Sequence, residues 1–212
     1  MRVKICGVTS VDDALACASA GADAIGINLV ASSPRRVDDA RAKEIADAIR
    51  GRAMSVGVVA DLSIAAMRAL RERAALDCLQ LHGDESPADL APLLPHAYKA
   101  IRVASAADVA RADAFGGDYV LVDARTDGAL GGTGRAFDWT LVANLAARRR
   151  LTLAGGLTAE NVQEAIRVVS PYCVDVASGV EIPGDPRRKD PARVRAFVTA
   201  AKRDPKQEPT NR

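Results

Sequence analysis

The chain has 212 residues, with 49% hydrophobic residues but only 3% aromatics, which suits one domain with a filled, aliphatic core. Its formal net charge is +2 with both signs interleaved, giving no reason to expect a nucleic-acid partner. No apolar run approaches the roughly 18 residues of a membrane span, and Arg2 and Lys4 open the chain without an apolar signal region.

Short β-branched runs recur along the chain. They are VKIC (3–6), DAIGINL (23–29), MSVGVV (54–59), DCLQL (77–81), YKAIRV (98–103), DYVLVD (118–123), LTLAG (151–155) and CVDVAS (173–178). Their starts lie about 20 to 30 residues apart, the size of one strand plus one helix. The runs are near-continuously apolar, as in a parallel sheet covered on its outer face. Helical spacing fills the gaps: Val162, Ala165, Ile166 and Val169 follow i, i+3, i+4, i+7, and so do Val194, Phe197, Val198 and Ala201. Thr9 or Ser10 is placed to N-cap the first helix, Ser63 the third and Thr158 the seventh. Gly21 and Gly51 close the first two helices. Trp139, in FDW, begins the sixth helix as a packing anchor. Eight such units predict a single-domain α/β fold, a (β/α)8 TIM barrel over residues 1–203, with a doubly wound sheet as the alternative. DPKQEPTNR (204–212) reads as a frayed tail.

In a barrel the chemistry sits where strands run into the following loops. Those positions carry Cys6-Gly7 after the first strand, Arg35 and Arg36 in ASSPRR after the second, and His82 after the fourth. Asp123 and ARTDGALGGTG follow the sixth. AGGL, with Gly155 and Gly156, follows the seventh, and Ser178-Gly179 end the eighth. Glycine-freed backbone amides on two adjacent loops suit a phosphate group. Tight turns alone would also use glycines there. His96 starts the fifth strand at the opposite rim and takes no role.

The four cysteines, Cys6, Cys17, Cys78 and Cys173, show no CxxC and no histidine partner at metal-ligand spacing. They read as reduced thiols of a cytoplasmic protein. From position alone, Cys6 is either a small buried hydrophobe or a reactive group. Asp123 is either an acid or a satisfied strand-end carboxylate, and Arg35 either a ligand for an anion or a solvated charge.

The ordered set KICG, GADAIG, SPR, QLHGDE, LVD, GGTG, FDW, LAGGL and DVASGVE resembles the phosphoribosylanthranilate isomerase family of tryptophan biosynthesis, over residues 2 to 200. The resemblance implies a (β/α)8 barrel and an Amadori rearrangement without cofactor or metal. It converts N-(5-phosphoribosyl)anthranilate to 1-(2-carboxyphenylamino)-1-deoxyribulose 5-phosphate. It also implies that Cys6 is the general base, Asp123 the general acid and Arg35 the ligand of the anthranilate carboxylate. The GGL and ASG loops would hold phosphate, and GGTG (131–134) would fold over the substrate. Cys17, Cys78 and Cys173 carry no such match and are left to the core. His82 is either a substrate contact or structural. Asp175 would face the interior beside Lys4 or a substrate hydroxyl. Lys4, on the same strand face as Cys6, would lower its pKa. The chain lacks the family's aromatic-rich segment before SPR, so Leu29 and Val30 would wall the anthranilate ring. The expected partner is a small phosphosugar; the sequence is silent on protein partners. Another phosphosugar barrel is one competing reading, but an indole-glycerol-phosphate synthase would bring a catalytic lysine set and a pentulose-phosphate epimerase more strand-end histidines than His82; a non-catalytic binding barrel is the other, against which Cys6 and Asp123 speak.

Overall fold

The structure, a computed structural model, describes residues 1–123 and 139–203. Eight strands close into a barrel in chain order: β1 (Arg2–Cys6), β2 (Ala24–Asn28), β3 (Met54–Val59), β4 (Cys78–Leu81), β5 (Ala97–Arg102), β6 (Tyr119–Asp123), β7 (Arg150–Ala154) and β8 (Cys173–Val176). Each pairs in parallel with its neighbours, and β8 closes onto β1 through Lys4 opposite Asp175. Closure excludes the doubly wound alternative, because no edge is left.

The helices are α1 (Val11–Ser19), α2 (Asp39–Ala48), α3 (Ile64–Arg73), α4 (Pro87–Leu90), α5 (Ala106–Ala112), α6 (Thr140–Ala146), α7 (Val162–Val169) and α8 (Pro191–Lys202). Side-chain oxygens of Ser10, Asp38, Ser63, Ser86 and Asp190 cap their first turns. Gly21, at φ +99, continues the chain just past α1, in a left-handed conformation that other residues rarely adopt. Two local expectations need correction. α7 begins at Val162 behind Asn161, because Asn161 Oδ1 accepts from the Thr158 amide and holds a preceding turn. β8 ends at Val176, and Ser178 and Gly179 lie in a 3-10 turn beyond it. A two-stranded hairpin, β9 (Glu181–Ile182) and β10 (Asp185–Lys189), then intervenes before α8.

Period-two alternation along the strands creates two packed layers. Val3, Ile5, Ile25, Ile27, Val122 and Leu153 point outward into the main core, where α8 buries Val194, Phe197, Val198 and Ala201. Trp139 packs, partly buried, against the same core at the start of α6. Ala100, Leu121 and Ala154, with Tyr98, form a smaller cluster within the barrel. Apolar inward residues such as these lengthen the apolar runs, while Lys4, Gln80 and Asp175 are buried polar exceptions. No helix among the described residues is long and apolar enough to cross a membrane. GGTG and the tail 204–212 lie outside the described residues.

Candidate active site

Cys6 ends β1, and Lys4 lies two residues earlier on the same inward face. Gly26 of β2 makes room for both: a Cβ there would stand 2.7 Å from Cys6 Sγ and 3.0 Å from Lys4 Nζ. Lys4 Nζ donates to Asp175 Oδ2 of β8 at 2.9 Å, with the two side chains only 3% and 6% exposed. Burial alone would lower the lysine pKa, but Asp175 holds it well above the ordinary value, so the ammonium is charged. Asp175 Oδ1 is buried and has no hydrogen-bond partner among the described residues.

Lys4 lowers the pKa of the Cys6 thiol, in the expected direction, but burial outweighs it. Burial pushes its pKa up; Lys4 pulls it back, and Asp175 adds to the rise. The net direction is upward because Lys4 is shared with Asp175 in a desolvated site. All four cysteines are free. Burial drives Cys17, Cys78 and Cys173 up to about 12, so these stay thiols.

Asp123 ends β6 at a half-buried position, with 20% of its side chain exposed. His82 Nε2 stands 3.8 Å from Asp123 Oδ2, beyond hydrogen-bond range. A relay fixes the imidazole. Tyr98 donates its hydroxyl to Gln80 Oε1 at 3.1 Å, and Gln80 Nε2 lies 3.1 Å from His82 Nδ1. Burial holds the Tyr98 phenol well above its usual pKa, so it remains a donor. That orients the Gln80 amide to donate to Nδ1, which leaves the proton of neutral His82 on Nε2. Burial lowers the His82 pKa against the opposing pull of Asp123. A neutral imidazole therefore faces the carboxylate.

Arg35 enters from the loop after β2, its stem lying across Gly7. A Cβ on Gly7 would meet Arg35 Cδ at 2.3 Å, and Gly7 adopts φ +75. The guanidinium is already engaged: Nε and Nη2 donate to the two carboxylate oxygens of Glu181 at 2.6 and 3.0 Å. Arg36 is exposed and turns away, bridging its backbone to Asn28.

These groups share one cavity of about 300 Å³ at the C-terminal mouth of the barrel. Cys6, Arg35, His82, Asp123, Gly155, Gly156, Asp175 and Ser178 all line it. Gly179 lines an adjoining cavity with Gly156 and Ser178, packed so close that a Cβ would meet Leu157 O at 2.2 Å. Gly155 and Gly156 take φ +98 and +66, open to few other residues. A wider cavity of about 650 Å³ opens over β3 to β5 and shares Asn28, Val58 and His82. Val30 lines it, but Leu29 packs against the main core beside Gly57, so of these two Val30 is the one placed to wall an aromatic ring.

Sequence reasoning missed Gly26, Asn28, Gln80, Glu181 and Lys189. A glycine within a strand was the available signal for Gly26; Glu181 stood in ASGVE, but nothing local marked its partner. Among the described residues, no group of three or more His, Cys, Asp or Glu side chains could hold a metal ion.

Residues 3–200 match the family described as N-(5'phosphoribosyl)anthranilate (PRA) isomerase. The N-(5'-phosphoribosyl)anthranilate isomerase of Pseudomonas aeruginosa is 47% identical over 204 residues, covering 95% of each chain. The crystal structure of the Thermotoga maritima enzyme superposes with a TM-score of 0.86 at 35% identity, covering 95% of this chain and 98% of that one. A further isomerase structure, in complex with reduced 1-(o-carboxyphenylamino)-1-deoxyribulose 5-phosphate, gives a TM-score of 0.83 at 33% identity, with 95% and 98% covered. With sequence and fold alike over nearly their full length, the chain belongs to the N-(5'-phosphoribosyl)anthranilate isomerase family.

Proposed function

We propose that the chain isomerises N-(5-phosphoribosyl)anthranilate to 1-(2-carboxyphenylamino)-1-deoxyribulose 5-phosphate with Asp123 as general acid and Cys6 as general base. The observation that carries this assignment is the convergence of Cys6, Asp123 and Arg35 on one cavity with the glycine loops after β7 and β8.

The acid donates its proton to the furanose ring oxygen. The bond from that oxygen to C1 breaks, and the anilino nitrogen lone pair forms a Schiff base with C1. The Cys6 thiolate then removes the proton from C2, and the electron pair neutralises the Schiff base to give an enolamine. Loss of the C2 hydroxyl proton and protonation of C1 yield the ketone. Every proton removed is returned, so the step is an isomerisation needing no oxidant or reductant.

The other residues bind and orient. Gly155, Gly156, Ser178 and Gly179 offer backbone to the phosphate. Arg35 takes the anthranilate carboxylate, and Asp175 Oδ1, buried without a partner among the described residues, suits a sugar hydroxyl. Neutral His82 lines the same cavity, where its Nε2–H can donate to substrate. Reduced, unpaired thiols suit a cytoplasmic enzyme.

Steady-state turnover of phosphoribosylanthranilate, followed by its fluorescence, tests the pair. Cys6→Ser and Asp123→Asn should each lower kcat by at least about 10²-fold, the usual scale for losing a general acid or base. Near-normal turnover in Cys6→Ser would move the base elsewhere.

A further inference from the structure

Arg35 presents an electrostatic difficulty. It is to attract a carboxylate, yet its Nε–Nη2 edge already holds the Glu181 carboxylate in a forked pair. An Arg–Glu pair alone has no net charge. An incoming anion would meet a cation and an anion at similar distances, and the attraction would largely cancel.

The structure places a second cation on that carboxylate, at the oxygen that Arg35 Nε also holds. Lys189 of β10 is 2% exposed, and its Nζ lies 3.0 Å from Glu181 Oε1 and 3.2 Å from Ala177 O. It does not line the cavity. Its backbone amide is held by Asp13 of α1 at 3.1 Å, and the Asp13 carboxylate has its own cation in Arg188 at 3.3 Å. The cluster Arg35–Glu181–Lys189 therefore carries one excess positive charge. The pairing of Glu181 with Arg35 leaves the opposite Nη1–Nη2 edge of the planar guanidinium for a second carboxylate.

We infer that Lys189 is a specificity-determining residue that acts from outside the cavity: it neutralises Glu181, so that Glu181 can orient Arg35 without cancelling its charge toward the substrate carboxylate. The inference rests on the reading of Arg35 as the carboxylate ligand. It gives the hairpin a task in recognition, that of holding the balancing charge behind the ligand. Other contacts tie the same hairpin to the Arg35 loop: Arg187 Nη1 donates to Pro34 O and Arg36 O at 3.2 and 3.0 Å.

The test compares two stable ligands, reduced 1-(2-carboxyphenylamino)-1-deoxyribulose 5-phosphate and the same compound built on aniline, without the carboxylate. The ratio of their dissociation constants reads carboxylate recognition alone. No chemical step enters, so the protonation state of Cys6 does not contribute. Lys189→Met should reduce the preference for the carboxylated ligand by roughly tenfold, as expected for one unit charge at partly screened range. Its affinity for the carboxylate-free ligand should fall by less, through the phosphate that both ligands share, and retained binding there also reports a folded cavity. Glu181→Gln/Lys189→Met restores the excess of one positive charge and should recover most of the preference. A packing role would instead leave the double variant no better than the single one, and that outcome overturns the inference. An unchanged preference in Lys189→Met overturns it too. Glu181→Gln alone keeps an oxygen on the guanidinium and raises the excess to two charges, so it should strengthen the preference. A weaker preference there is contrary, even if Lys189→Met fails to fold. Arg35→Met separates the two readings. If it leaves the preference intact, Arg35 is not the carboxylate ligand; if it abolishes the preference while Lys189→Met does not, only the charge-balance inference falls.

Discussion

Cys6 has two requirements that pull against each other. To take a proton from carbon it must be a thiolate, yet its burial favours the thiol. Lys4 is the nearest compensation, and it is shared with Asp175. The sign follows directly. The reactive form is the deprotonated one and its pKa is raised, so kcat/KM should climb with pH through a limb above the ordinary thiol value. In Lys4→Met the stabilising cation is gone and the Asp175 carboxylate is uncompensated; both changes disfavour the thiolate. The limb should move to still higher pH, in the pH–rate profile and in thiol titration alike. A limb that stayed in place would remove Lys4 from the account of the base. The variant should also lose roughly 3 to 5 kcal/mol of stability, because a buried charge is left unpaired. Much of this was legible in the sequence. Cys6 stood at a strand end, and Lys4 two residues before it had to share its face. The net direction of the thiol was not legible, since it depends on how far the barrel mouth excludes water.

At the scale of elements, the loop after β2 and the β9–β10 hairpin act together. The loop carries Arg35; the hairpin holds it, through Glu181 on β9 and Arg187 on β10. Gly7 is where this arrangement is most exposed to change. Its φ of +75 is left-handed, and a methyl group would strike the Arg35 stem. Gly7→Ala should cost about 1 to 2 kcal/mol for the backbone alone. It should also raise KM by roughly tenfold by displacing the guanidinium, with a smaller effect on kcat. A melting curve and steady-state kinetics check both parts. An unaltered KM would show that Arg35 can relocate freely. The hairpin itself was not read from the sequence: β9 has two residues and β10 is the charged run DPRRK, so neither shows an apolar pattern. The start of α7 was misplaced for a related reason. Thr158 is a good capping residue, but Asn161 won the amide three residues away.

For the whole molecule, stability and chemistry occupy different layers. The outer core lies between strands and helices, while the cavity opens at one end of the barrel interior. Phe197 is fully buried on α8, in the outer layer. Phe197→Ala should cost about 3 to 5 kcal/mol and lower Tm on the order of 10 °C, with kcat nearly unchanged in the protein that remains folded. A large loss of kcat at a temperature well below Tm would mean that the outer layer tunes the site directly. The sequence by itself determined what is local. Strand and helix periods, Ser10 and Ser63 as caps, and the rim location of Cys6, Arg35, His82 and Asp123 all follow from residue order, because these depend on neighbours a few positions apart. Only the tertiary structure decided which charges meet. Lys4 joins Asp175 across 171 positions and Arg35 joins Glu181 across 146. Such pairs are set by the register at which β8 closes onto β1 and by the path of the hairpin over the rim. No residue carries that information locally, since it arises from the packing of the whole barrel.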